Sequence, residues 1–161
     1  PARGARGLMG RASAGVTLRG VRDAEAEALW YDRVRMPSFI DGMKHVVAVE
    51  GDYPQAGSQL VWESFPGGRG RVTEKVVRYE ARAGQEVEAR DASAVGRQTV
   101  SFAPDGDDVR MTLELEYRVL EPGPLTPLTD FFFIRRAQGD ALRRTLARFA
   151  RELREQAEPP I

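Results

Sequence analysis

Between Val109 and Leu120 apolar and polar residues alternate without a break. Val109, Met111, Leu113, Leu115, Tyr117 and Val119 hold the odd positions, and Arg110, Thr112, Glu114, Glu116 and Arg118 the even ones. A period of two puts these sets on opposite faces of a strand, one dry and one wet. Shorter β-type runs precede it at 44–50, 58–65, 70–80, 86–90 and 96–103. Pro66-Gly67-Gly68 and Pro104-Asp105-Gly106 separate some of them, each supplying a fixed φ followed by residues that tolerate positive φ. The regular spacing predicts an antiparallel meander. Within 70–80, strict alternation sets Val72, Glu74, Val76 and Arg78 on one face and Thr73, Lys75, Val77 and Tyr79 on the other. Both faces are mixed, so the pattern does not say which one turns inward, and an outward Glu74 is the default.

The dry face of such a sheet needs a cover. Past Pro122-Gly123-Pro124 and Pro127, Asp130 can cap a helix running to about Ala157, with Leu142, Leu146, Phe149 and Leu153 on one stripe. Arg143, Arg144, Arg148, Arg151 and Arg154 fill the other side. Ahead of the meander, Gly15 to Val21 predicts a strand, and Asp23 caps a helix over 24–31 that is rich in Ala and Glu. Met36 to Gly42 predicts a second short helix or turn. Residues 1–14 carry Arg3, Arg6 and Arg11 and no acid, and are expected to form a flexible basic arm; 158–161 is a tail. One domain over 15–157 remains.

Several segments resemble a known family. Ala28-Leu29-Trp30 is similar to its first-helix tryptophan, and Met36-Pro37-Ser38-Phe39-Ile40 to its Leu-Pro-x-aromatic segment. Val72 to Glu80 and Phe102 to Leu113 follow in the same order. Over about residues 15–157 the chain resembles the START-like, or SRPBCC, superfamily, and within it the polyketide cyclase/dehydrase and lipid-transport family. The resemblance implies an α+β helix-grip fold: a curved antiparallel sheet of about seven strands wrapped around a long C-terminal helix, with one or two short helices after the first strand. It implies a cavity for a small hydrophobic molecule, lipid or polyketide-like, and says little about reaction. The family often has a proline after the Val-x-x-Tyr-Glu segment, where this chain has Ala81-Arg82-Ala83-Gly84.

Composition narrows the chemistry. The 161 residues hold 24 Lys and Arg against 24 Asp and Glu, one His and no Cys. The balance argues against a dedicated nucleic-acid binder, which carries excess basic charge to neutralise phosphates. Without cysteine there is no disulfide framework or thiolate zinc site, which fits a reducing, cytoplasmic setting. A single histidine excludes a two-His metal site, and no cofactor or metal is expected. No run approaches the roughly 20 apolar residues that span a bilayer, so no integral membrane segment is expected. Asp105 to Glu116 does not match a calcium loop, because Arg110 stands where the glycine is required.

Under the resemblance, Met111, Leu113, Leu115 and Tyr117 become ligand-facing candidates, with Trp62 as a wall and Phe132 and Leu142 contributed by the C-terminal helix. The alternative is that the strand residues pack on Leu142, Leu146 and Phe149 as plain core. Phe131, Phe132 and Phe133 cannot share one helical face, so at least one borders an opening or contributes to core and hinge. For acid–base work the candidates are His45, Glu74 and Tyr79. Binding without catalysis is the primary reading. An aromatase/cyclase acting on a poly-β-ketone is the alternative, and it requires ionisable groups inside. A partner-binding module without ligand is the third, and homodimerisation stays open.

Overall fold

The computed structural model describes residues 9–120 and 128–158, with 128–136 as backbone alone. Its elements run β1 (Met9–Leu18), α1 (Asp23–Trp30), α2 (Met36–Phe39), β2 (Met43–Glu50), β3 (Gln59–Ser64), β4 (Arg71–Glu80), β5 (Gly84–Arg90), β6 (Ala94–Asp105), β7 (Asp108–Val119) and α3 (Leu128–Ala157). The strands form one sheet in the order β1-β7-β6-β5-β4-β3-β2, with every neighbouring pair antiparallel. The two helices that follow β1 carry the chain from one sheet edge to the other. This is the helix-grip order: a curved sheet closed on one long helix.

The N-terminal segment departs from the sequence reading. β1 begins at Met9, so residues 9–14 belong to the sheet, not to a basic arm; residues 1–8 and 159–161 lie outside the description. Ten consecutive pairs join β1 to β7, from Met9↔Arg118 to Leu18↔Val109. The inward side of β1 reads Gly10, Ala12, Ala14, Val16, which is too small a set to register as an apolar strand face. Smallness is the reason it works. A Cβ at Gly10 would collide with the Tyr117 ring, and the low profile of β1 lets α3 lie close to it. The helix caps also differ. Arg22, not Asp23, is the N-cap of α1, and α3 already has helical backbone two residues before Asp130.

Every odd residue of β7 from Val109 to Tyr117 is buried, and Leu142, Leu146, Phe149 and Leu153 of α3 are buried with them. At the centre Trp30, Phe39 and Phe149 bring all three helices together, with ring centroids 5.6, 5.6 and 5.1 Å apart. Polar contacts fasten the rim of the same joint. Asp41, just after α2, accepts from Arg144 at 3.1 and 3.0 Å and from Arg148 at 3.0 Å, and its N–H donates to Thr145 Oγ1 at 3.0 Å. The Arg144 hydrogen bond holds the Asp41 carboxyl below the usual carboxylate range.

Phe149→Ala is expected to cost about 3–5 kcal/mol, because a fully buried ring leaves a cavity between three helices; urea unfolding measures it. Asp41→Asn is expected to cost about 1 kcal/mol at pH 7. A carboxyl with a depressed folded pKa stabilises above its unfolded pKa and loses that contribution as pH falls through the folded value. The gap between wild type and variant should therefore close on acidification, in unfolding curves taken across the acid range.

Candidate functional site

A bulge in β4 determines what the inner face can do. Val76 pairs with Val87, but the next pairs are Arg78↔Glu86 and Tyr79↔Gln85, so Val77 is an extra residue. Upstream of it Val72, Glu74 and Val76 face inward beside Trp62 and Leu60; downstream the phase reverses and Tyr79 turns inward beside Gln85. Glu74 and Tyr79 therefore share the face that a regular strand would have denied one of them.

The inner face is not uniformly sealed. On the β7 side Met111, Leu113, Leu115 and Tyr117 are packed into the core with Leu142. On the β2–β4 side Val46, Val49, Glu74 and Tyr79, together with Tyr31 and Tyr53, keep part of their accessible surface although they line the same interior. Glu74 lies deep in the protein and keeps part of its accessible surface.

Glu74 is held by its wall. The Trp62 indole N–H donates to Glu74 Oε2 at 2.6 Å. The guanidinium of Arg69 lies 5.7 Å from the centre of the Trp62 ring and donates to the buried carboxylate of Asp91 at 2.7 Å. Burial pushes the Glu74 carboxyl above its ordinary pKa, and the Trp62 hydrogen bond and the Arg69 charge offset only part of that. Asp91 ends on the other side of its ordinary value. Burial raises it too, but Ser93 and Arg69 outweigh the burial and hold it low.

A cluster of tyrosines stands beyond it, with Tyr53 near enough to feel the Glu74 charge. Tyr31 meets Tyr53 at 6.0 Å and Tyr79 at 5.6 Å, both edge-on. The Tyr79 hydroxyl and the Arg82 N–H both donate to Glu27 of α1, which ties that helix to the β4–β5 hairpin where Arg82 takes a φ of 64°. Among the described residues the Tyr31 hydroxyl is buried without a hydrogen-bond partner. Burial is the largest cause that pushes the Tyr31, Tyr53 and Tyr79 hydroxyls up, Tyr79 to about 12. Glu27 adds to the shift at Tyr31 and Tyr79, and Glu74 adds to it at Tyr53.

Of the sequence candidates, Glu74, Tyr79 and Trp62 come together on the inner wall. Glu74 corrects the outward default, since its neighbours across β3 and β5 are the inward Leu60 and Ala89. His45 stands apart. It is half-exposed on the edge strand β2, 3.7 Å from Glu63, and borders an open surface groove of about 380 Å³ that Val46 and Val49 also line, with Arg33, Val34 and Pro37. Met111 and Leu113 have no accessible surface to speak of, while Leu115 and Leu142 keep a little. The Phe132 side chain lies outside the described residues. Sequence reasoning missed Tyr31, Tyr53 and Gln85. The spacing of the three tyrosines carries no periodic signal, because they come from a helix end, a loop and a bulged strand.

The family profile described as polyketide cyclase / dehydrase and lipid transport matches residues 21–154, so the chain belongs to that family. No curated protein matches it in sequence. Solved structures with the same fold include the di-domain ARO/CYC StfQ of the steffimycin biosynthetic pathway, at TM-score 0.72 and 13% identity over 93% of this chain and 52% of that one. Truncated norcoclaurine synthase from Thalictrum flavum aligns at TM-score 0.68 and 12% identity, covering 94% and 98% of the two chains. Ara h 8.0201 aligns at 0.64 and 10%, covering 92% and 99%. The fold and family are those of a hydrophobic-ligand-binding scaffold. Among the described residues no helix is long and apolar enough to cross a membrane.

Glu74→Gln tests the buried carboxyl. An acid whose folded pKa is raised is neutral in its effect below the unfolded pKa and destabilises increasingly as pH rises toward the folded value. The variant should match wild type near pH 4 and be the more stable protein at pH 8, in thermal unfolding at both pH values. Equal stability at pH 8 would contradict the assignment.

Proposed function

We propose that the protein binds a small hydrophobic molecule, lipid or polyketide-like, in the space between the inner face of β2–β5 and the α1–α3 side, without transforming it. One observation carries this reading. Next to a sealed core, apolar and aromatic residues of the same inner face stay accessible, with few polar groups among them, which is the composition of a ligand pocket. Trp62, Leu115, Tyr117 and Leu142 would border the ligand where the recess meets the core, while Met111 and Leu113 would support it from behind. A cytoplasmic setting is expected from the lack of cysteine.

A second reading is acid–base catalysis of the aromatase/cyclase type. It is favoured by an ionisable group on the inner wall. A carboxyl whose pKa is raised by burial can, when protonated, donate to a carbonyl oxygen as an enolate develops, and Glu74 would be that donor, with Tyr79 on the same face of β4. His45 has no part in it, being on the outer edge.

Purified protein should show a co-purified small molecule in native mass spectrometry, or else saturable fluorescence enhancement of 1-anilinonaphthalene-8-sulfonate at one site per chain. Val49→Trp, which fills the accessible side of the inner face, should weaken dye binding by about tenfold or more while the far-ultraviolet circular dichroism is unchanged. A wild-type protein that neither carries a ligand nor binds the dye would overturn the binding reading.

A further inference from the structure

One edge of the sheet is left open. β2 ends the strand order and pairs only with β3, so one side of its backbone has no ladder partner among the described residues. The groove of about 380 Å³ runs along that side. Its lining takes in consecutive residues of β2 from His45 to Val49, which a groove on either face of a strand could not do, and Arg33, Val34 and Pro37 of the α1–α2 corner form the opposite bank. Val34 is 86% exposed, the most of any large apolar side chain described, and Val47 is 40% exposed. A bare apolar edge of this kind is a template for an added strand.

We propose that this groove receives β2 of a second copy of the chain, joining the two sheets antiparallel about a two-fold axis between Val47 and Ala48. Charge selects the occupant. β2 opens on Lys44 and His45 and closes on Glu50, with Asp52 just beyond, so an antiparallel copy brings the basic start of each strand against the acidic end of the other. The other free edge, β1, has Arg11 as its one charge and offers its own copy no such match. Side-chain direction then selects the register. Residues directly opposed across two strands lie on the same side of the sheet, and in a regular strand that forbids a two-fold axis between two residues. β2 is not regular, because Val47 is an extra residue between Val46, which pairs with the inward Trp62, and Ala48, which pairs with Val61. The order is therefore His45 out, Val46 in, Ala48 out, Val49 in and Glu50 out, with Val47 exposed at the irregularity. Laid against its own reverse, this order agrees at every position: His45 meets Glu50, Val46 meets Val49 and Val47 meets Ala48 of the second copy. A bulge ordinarily protects an edge from strand addition; this one turns away regular strands and suits a strand that carries the same bulge. The Val46–Val49 pairs continue the apolar inner face from one sheet into the next, and the incoming strand covers Val34. The inference does not depend on what the interior binds.

Sedimentation velocity on the wild-type chain, from low micromolar to near-millimolar concentration, is expected to show reversible association from one copy to two, since one strand from each copy makes a small interface. Val47→Lys sets two like charges across the axis and should weaken association by about tenfold or more, with the far-ultraviolet circular dichroism unchanged. Cross-linking reads the register, and it is clean because the chain has no cysteine of its own. A chain carrying both His45→Cys and Glu50→Cys should become a covalent dimer on mild oxidation, because the opposed positions come within disulfide reach while the two thiols of one chain stand roughly 15 Å apart. His45→Cys alone should run as a monomer on a non-reducing gel. A wild-type chain that stays monomeric throughout, or association indifferent to Val47→Lys, overturns the proposal. So does a double variant that forms no cross-link, or one that cross-links no better than His45→Cys alone. The sedimentation result on the wild-type protein holds whatever the variants do to folding.

Discussion

Everything in this protein hangs on the contact of Trp30, Phe39 and Phe149, one ring from each helix. A seven-stranded open sheet with a largely apolar inner face is unstable in water unless something lies on it. α3 is that cover, but a single helix cannot seal the whole of a curved sheet. The aromatic joint pins α3 toward β1 and α2, where small residues on β1 allow close approach. By doing so it leaves the β2–β4 side of the inner face less tightly covered. Tight core and looser cover are two outcomes of the same placement, and the ion pairs of Asp41 and of Arg35 with Glu152 at 2.8 Å hold it at the surface.

The inner wall owes its polar groups to a local irregularity. In a regular β4, Glu74 and Tyr79 would point to opposite sides of the sheet, and the tyrosine cluster could not form beside the carboxyl. One extra residue at Val77 reverses the phase and costs an exposed valine. In exchange the inner wall gains a hydroxyl that reaches Glu27 and so ties α1 to the strand. Trp62 serves twice, as apolar wall and as donor to Glu74, in keeping with the habit of buried indoles to find a partner for their N–H.

Much of the architecture was legible in the chain. The alternation of β7 survives as an uninterrupted buried face, and the stripe of Leu142, Leu146, Phe149 and Leu153 is the face of α3 that meets it. Such patterns are legible because burial on one side of a regular element repeats at the element's own period. β1 was read too short for the opposite reason. Gly10, Ala12 and Ala14 are inward because they are small, and a periodicity search weighs bulk. The site was less legible still. His45, an acid–base candidate by residue type, lies on the outside edge, and Glu74, expected to face solvent, lies deep on the inner wall.

The sequence by itself determined the fold class, the family and the apolar face of β7, since these follow from local period, turn chemistry and the order of segments. Only the tertiary structure decided which polar residues meet. Glu27, Tyr31, Tyr53, Glu74 and Tyr79 come from a helix, its end, a loop and one bulged strand, and no local rule couples their directions. The bulge sets the phase of Tyr79 through pairing with β5, and the helix joint sets how far α3 covers the sheet. Both are long-range choices, made by packing free energy summed over the whole core, and for that reason they left no mark on any single stretch of the chain.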